Sequence, residues 1–301
     1  RWHSLKKTKI LTKEEFINTL KTNQKKQFSR DLNGLTVSNS DFLRILFNKH
    51  QKLDFPNWLE TGKILSALDI RHQLFMKIEV ATIHYFQSIE SYTNDLDNIW
   101  NKTNELGYSK EFTSTSIIFG EVSMRTNFLE KVFFAIDYFI QQMNGNIKFH
   151  TTGSTHKKQQ YFKLLLTKLG LEKETLETDE IVDDLISNIP SDKLNGLFVK
   201  GKNRKIEIHE FYGYFVAMRN GFHNNGFSQK TVNNLNIGGV IFDIQKDKQI
   251  KFGHHIVVTA VYLMLHPLKR IVEETFVKYP NQLWEDAYTK DLKQFMEEYS
   301  K

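Results

Sequence analysis

The residues in this chain best suited to chemistry lie within one nine-residue segment, 218–226, which reads Met-Arg-Asn-Gly-Phe-His-Asn-Asn-Gly. Arg219 and His223 are four positions apart, and an asparagine, Asn220 or Asn224, directly follows each of them. A guanidinium stays charged at physiological pH and matches the geometry of a phosphate, whereas an imidazole exchanges protons near neutrality. The pair therefore predicts a site that holds a phosphodiester and moves a proton without a metal ion. The two asparagines could contact a ribose or bond backbone groups to position a loop.

A structural interpretation of the same segment competes with this one. The helix dipole stabilises cations near a helix C-terminus, so Arg219 and His223 could cap a helix, with 224–226 forming a turn. Spacing does not separate the two interpretations, because chance produces such pairs in a chain with 11 histidines. Two further pairs occur at similar spacing, Arg204/His209 and Arg44/His50.

The segment is predicted to begin in a helix over 209–220, which two small β-hairpins bracket. Apolar stretches around polar turns predict one hairpin from 197–200 and 205–208, and another from 240–244 and 250–252. If the helix continues to the histidine, the arginine and histidine share a face. If the intervening glycine ends the helix, the histidine lies in the adjoining loop.

Apolar residues at helical spacing predict two long helices, near 71–105 and 115–144, in a stretch without proline. The short connection 104–114 between them favours an antiparallel pair. A capping box of Thr12 and Glu15 predicts a helix from there to about residue 30. Further helices are predicted at 40–53, 155–169, 179–189, 254–278 (kinked at Pro267) and 281–299.

These elements predict a mainly α fold, an antiparallel helical bundle with long helices and one or two small peripheral β-hairpins. No repeat and no low-complexity linker divides the chain. We therefore expect a single helical domain over 1–301. Its core would span about 71–278, with N-terminal helices in 1–70 and a C-terminal helix at 281–299 as extensions.

Composition narrows the classes of function. The net charge of +6 is compatible with a polyanionic partner, although a lysine-rich composition explains it equally well. The absence of cysteine excludes disulfides, thiolate zinc sites and cysteine nucleophiles. The longest strongly apolar stretch, 256–265, is about half of a membrane span. The expectation is a soluble, cytoplasmic protein that does not enter a membrane.

The segment around Arg219 resembles the signature of the HEPN superfamily, compact helical domains of toxins, abortive-infection proteins and CRISPR-associated ribonucleases. That signature is an arginine, usually followed by a polar residue, and then a histidine. Arg219 and Asn220 match its first two residues, and His223 matches the histidine. Three residues separate the arginine from the histidine here, whereas four to six do so in the family. A long helix follows the signature in both cases.

The resemblance implies metal-independent cleavage of RNA in a prokaryotic defence or toxin system, by an HEPN-like core. His223 would act as general acid or base during attack by the ribose 2′-hydroxyl, and Arg219 would stabilise the charge on the phosphorane. It also implies a homodimer in which both copies of the motif line one groove, and a possible neutralising or regulatory protein. The implied enzyme needs RNA as substrate and no cofactor.

Other signals in the sequence have simpler explanations. The segment 196–203 nearly spells a phosphate-binding loop, but Asn203 replaces the Ser or Thr that would hold magnesium. Adjacent His254 and His255 point in different directions on a helix, and the acidic run 172–184 is interpreted as a solvated helix face. A cluster of aromatic residues is interpreted as core or as a protomer interface; its members are Phe133, Phe134, Tyr138 and Phe139.

Two classes of function therefore remain open from the sequence. The first is the endoribonuclease, with catalytic Arg219 and His223 and no metal site. The second is a non-catalytic helical module that serves dimerisation, nucleotide binding or partner binding.

Overall fold

The computed structural model describes residues 12, 14–15, 58, 61–64, 66–147, 157–186, 205–223, 227–228, 231–237, 240–248, 250, 254–280 and 282–284. Most of them are helical, and the strands form two-stranded antiparallel sheets, which confirms the mainly α prediction. The helices are α1 (Ile70–Asn94), α2 (Leu96–Glu105), α3 (Lys110–Ile147), α4 (Lys157–Leu169), α5 (Thr178–Ile186), α6 (Ile208–His223) and α7 (His254–Lys278). The strands are β1 (Thr175–Glu177), β2 (Lys205–Glu207), β3 (Val232–Ile237) and β4 (Val240–Ile244).

Helices α1 and α3 form the predicted antiparallel pair. Tyr85 of α1 stacks on Phe128 of α3 with ring centroids 4.3 Å apart, and one end of the pair is fixed by Tyr92. The Tyr92 hydroxyl donates a hydrogen bond of 2.8 Å to the carbonyl of Ile117 and lies directly over Gly120. A side chain at position 120 would collide with this ring, so the glycine permits the close approach.

The predicted helix 71–105 is in fact two helices, because the chain departs from helical geometry at Asp95. The Asp95 carboxylate accepts a hydrogen bond of 2.9 Å from Asn98 Nδ2 in the first turn of α2. The second long helix, predicted at 115–144, begins earlier and ends later, at Lys110 and Ile147. The loop between α2 and α3, residues 106–109, is therefore shorter than the predicted connection 104–114.

The strands are paired differently from the prediction. Strand β2 lies where a strand was expected, but its partner is β1, with Leu176 opposite Ile206. Strand β4 pairs with β3, which the sequence analysis had not assigned, and Ile250 is not in a strand. Two glycines separate β3 and β4 in the sequence, a spacing typical of a tight hairpin. The predicted strand 197–200 lies outside the described residues.

Most buried apolar residues of the described part form one hydrophobic cluster with members from Trp58 to Trp284. A second, smaller cluster contains Leu96, Trp100 and Ile117. Helix α7 has the predicted bounds, continues through Pro267 and is buried along most of its length, as its apolar stretch requires. None of the described helices is long and apolar enough to cross a bilayer.

A buried ion pair at the start of α1 also contacts the chain that follows α7. Arg71 donates from Nε to Asp69 Oδ1 at 2.9 Å and from Nη2 to Asp69 Oδ2 at 2.7 Å. Its Nη2 also donates to the carbonyl of Gln282 at 2.7 Å. The guanidinium carbon lies 4.5 Å from the ring centroid of Phe276 and 4.6 Å from that of Trp284. The cation is therefore fully paired although it is buried.

The capping box at the start of the chain is confirmed. The Thr12 amide donates to Glu15 Oε2 at 2.9 Å, and the Glu15 amide donates to Thr12 Oγ1 at 3.2 Å. The rest of that helix and the predicted helix 40–53 lie outside the described residues. Residues 282–284 are not helical, so the predicted helix 281–299 does not begin at 281, and its remainder also lies outside them.

Candidate active site at the end of helix α6

Helix α6 carries Arg219 at the surface because its other side is in the core. It begins directly after β2, and Phe211, Tyr212, Phe215 and Met218 are buried at helical spacing. The helix packs on α3, α4 and α7. It continues past Asn220 and Gly221 and has His223 as its last residue, three residues beyond the predicted end.

Gly221, in the last turn of α6, lies in close contact with Ile250. A Cβ atom at this position would overlap Ile250 Cδ1, and it would lie 3.1 Å from Ile250 Cγ1. Ile250 is itself 6% exposed, so its side chain fills the space beside the glycine. Gly221 therefore acts here as a site of close packing inside a helix, not as a helix stop.

The Arg219 guanidinium lies against two aromatic rings of α3. Its central carbon is 4.9 Å from the ring centroid of Phe133 and 5.7 Å from that of Phe134. Phe133 is fully buried, whereas Phe134 is 52% exposed. A guanidinium at these distances is attracted by the ring quadrupole and is restricted in its motion. Arg219 is thus held at the boundary between core and solvent.

One hydrogen bond orients the guanidinium further. Nη1 of Arg219 donates to Asn220 Oδ1 at 3.1 Å. Its Nε is buried, and no acceptor for it is present in the part of the chain that the structure describes. Asn220 is exposed, and its hydrogen bond makes it a positioning group for the Arg219 guanidinium.

The histidine of the motif lies one helical turn beyond Arg219. Positions four apart on an α-helix differ by about 40° around the axis and by about 6 Å along it, so 219 and 223 share a face. Asn224 lies outside the described residues. The structure thus brings Arg219, Asn220 and position 223 together on one turn of α6.

Two acidic residues of α3 are close in sequence to the rings that contact Arg219. Glu130 and Asp137 are each one turn from the Phe133 and Phe134 pair. Asp137 is 6% exposed and accepts a hydrogen bond of 3.1 Å from Gln141 Nε2. Burial, with the Asp137 charge as a second cause, raises the pKa of Tyr212 far above its ordinary value, so this phenol stays neutral.

The predicted aromatic cluster is divided between two environments. Phe133 and Phe139 are core residues, whereas Phe134 is exposed and Tyr138 is half-buried. Lys77 of α1 places its Nζ 4.5 Å from the Tyr138 ring centroid. The contact of Phe133 and Phe134 with Arg219 has no signal in the sequence, because it joins residues that are far apart in the chain.

A second polar cluster, not singled out from the sequence, lies between α5 and α7. The Tyr262 hydroxyl donates to Asp184 Oδ2 at 3.0 Å, and the His266 ring centroid is 5.3 Å from that of Tyr262. Burial lowers the pKa of His266, which favours its neutral form. Asp184 belongs to the acidic run interpreted as a solvated helix face, and it is exposed but also bonded to the core through Tyr262.

Within the described ranges, no three histidine or carboxylate side chains converge in a way that could hold a metal ion. His254 and His255 are the first two residues of α7. Comparisons of the chain with protein-family models, with curated proteins and with solved structures gave no match.

Proposed function

We propose that the protein is a metal-independent endoribonuclease whose catalytic residues are Arg219 and His223. The observation that carries the proposal is the continuous last turn of α6, which puts the two positions on one face. The fixed guanidinium of Arg219 adds to it, because a preorganised cation stabilises a transition state better than a mobile one. The resemblance to the HEPN signature supplies the choice of RNA and a setting in prokaryotic defence or toxin systems.

In the proposed reaction, a ribose 2′-oxygen attacks the adjacent phosphorus. The new bond joins the 2′-oxygen to phosphorus, and the bond from phosphorus to the 5′-oxygen of the next nucleotide breaks. A base removes the 2′-hydroxyl proton, and an acid protonates the leaving 5′-oxygen. The products are a 2′,3′-cyclic phosphate and a 5′-hydroxyl. Arg219 donates hydrogen bonds to the non-bridging oxygens as negative charge accumulates on the phosphorane.

The need for both an acid and a base motivates the proposed homodimer. One copy of the motif contains one histidine, whereas two copies facing one groove supply one group for each proton transfer. The resemblance to paired HEPN domains points in the same direction. Light scattering at micromolar concentration should give the mass of a dimer. A protein that cleaves RNA as a monomer would contradict this part of the proposal.

The test of the site compares variants of one helix. His223→Ala should lower the cleavage rate by about 10²- to 10⁴-fold, as expected for loss of a general acid or base. Arg219→Ala should lower it by about 10²- to 10³-fold. Asn220→Ala should have a smaller effect, because that residue only orients the guanidinium. His209→Ala is the matched control, because it makes the same substitution on α6 about 21 Å from position 223.

The non-catalytic module makes a different set of predictions. Its supporting observation is that the contacts of Arg219 with Phe133 and Phe134 already give the arginine a structural role. If that is its only role, Arg219→Ala should cost about 0.5–2 kcal/mol of stability. No variant would then change a nuclease activity. Equal cleavage by wild type, His223→Ala and His209→Ala proteins, purified alike, would refute the enzyme and leave the module.

A further inference from the structure

A polar groove lies between α1 and α3 and extends to the start of α2. It has a volume of about 570 Å³, with a small recess of about 40 Å³ beside it. Its length follows from the helices, since His84 and Asp95, which both line it, are about 16 Å apart along α1. The groove is therefore long enough for more than one nucleotide unit. The groove and its recess are also lined by Ser88, Asn127 and Lys131.

The groove offers groups that bind phosphate and sugar. Lys131 and His84 are exposed, and no described carboxylate forms an ion pair with Lys131. Ser88 donates its hydroxyl proton to the His84 carbonyl at 2.7 Å, which leaves its oxygen as an acceptor. Asp95, at the far end, can accept hydrogen bonds from hydroxyls or exocyclic amines. A cation at one end and acceptors at the other suit a nucleotide better than a purely apolar or purely anionic ligand.

The groove is continuous with Arg219 through the exposed face of α3. Lys131, Phe134 and Tyr138 are three and four positions apart, so they share one face of that helix. Lys131 lines the groove, and the Phe134 ring centroid lies 5.7 Å from the central guanidinium carbon of Arg219. Lys131 and Phe134 are about 4.5 Å apart along the axis of α3, so one extended strand can reach from the groove to Arg219.

We propose that one continuous single strand of RNA binds along a path formed by His84, Lys131, Phe134 and Arg219. Lys131 and His84 hold a backbone phosphate a few nucleotides from the scissile bond, and a base stacks on the exposed Phe134 ring. Cations interleaved with an exposed aromatic ring are the usual means of holding single-stranded nucleic acid. Ser88, Asn127 and Asp95 contact the ribose and base edges inside the groove. This inference rests on the proposed function, because the bound strand is the substrate of the proposed reaction.

Fluorescence anisotropy with a short labelled RNA tests this path. Every 2′-oxygen of the labelled RNA is methylated, so that the protein cannot cleave it during the measurement. Lys131→Gln should weaken binding several-fold and lower the salt dependence by about one phosphate contact. Phe134→Ala should weaken it by about 5- to 150-fold through lost stacking, and Phe134→Tyr should restore most of the affinity. Lys110→Gln is the matched control, on the same helix but about 30 Å from Lys131.

The possible outcomes distinguish a failure of the proposed RNA path from a failure of the proposed function. If wild type binds and Arg219→Ala weakens binding, but Lys131→Gln and Phe134→Ala behave like Lys110→Gln, the path is wrong and the nuclease stands. If wild type does not bind single-stranded RNA, the proposed function itself fails. A selective loss in Lys131→Gln and Phe134→Ala, with restoration by Phe134→Tyr, supports the path.

Discussion

Replacing Gly221 with alanine probes the contact between Ile250 and the last turn of α6. Two opposing effects decide the result. Alanine is favoured over glycine inside a helix by about 0.8–1.0 kcal/mol, which by itself would stabilise the protein. Against this, the new methyl group overlaps Ile250 Cδ1 and lies 3.1 Å from Ile250 Cγ1. Overpacking of this kind costs about 1–3 kcal/mol in a filled core.

The steric effect should win, because Ile250 is 6% exposed and its side chain has little space to move into. The net expectation for Gly221→Ala is a loss of up to about 2 kcal/mol. Gly213 on the same helix is the control. A Cβ there meets only the end of the Gln159 side chain, 3.1 Å from Nε2, and Gln159 is exposed. Gly213→Ala should therefore be neutral or stabilising by up to about 1 kcal/mol.

Urea unfolding followed by far-ultraviolet circular dichroism measures both changes. Shortening the neighbour provides the decisive second test, since Ile250→Val removes the Cδ1 atom that the new methyl group meets. The double variant Gly221→Ala with Ile250→Val should be more stable than the sum of the single changes predicts. Gly221→Ala as stable as Gly213→Ala, or strict additivity in the double variant, would refute the claim that Ile250 packs against this turn.

Two further predictions concern the rest of the fold. Arg71→Lys should destabilise the protein by about 1.5–3 kcal/mol, measured by urea unfolding, because an ammonium cannot make the paired contact with Asp69 or stack on two rings. Burial, with the Glu121 charge as a second cause, raises the pKa of Tyr92 to about 12 from 10.0. The unfolded chain ionises first, so the contribution of Tyr92 to stability is full below pH 10.0 and is lost as the pH rises towards 12. Tyr92→Phe should flatten the fall in stability over that range, and an equal fall in both proteins would contradict the assignment.

Elements with local signals could be predicted from the sequence. The capping box of Thr12 and Glu15 has both of its predicted hydrogen bonds, and α7 has both of its predicted ends. The antiparallel pairing of the two long helices also followed from their length and short connection. In each case the information lies within a few residues or in one uninterrupted apolar pattern.

Features that depend on distant residues could not be predicted. Strand β2 was expected, but its partner β1 is separated from it in sequence by all of α5. The close contact of Gly221 with Ile250 could not be predicted either, because the two residues are far apart in the chain. The same limit applies to the site, since Phe133 and Phe134 are on a different helix from the Arg219 that they hold.

The most direct test of the central claim is the chemistry of the RNA ends. A labelled RNA incubated with the protein in EDTA should be cut to fragments that end in a 2′,3′-cyclic phosphate. The same oligonucleotide with a 2′-deoxyribose at the cleaved position should stay intact there, because the attacking hydroxyl is missing. His223→Ala should leave both substrates intact. Cleavage at the deoxy position, products without a cyclic phosphate, or unchanged cleavage by His223→Ala would contradict the proposed mechanism.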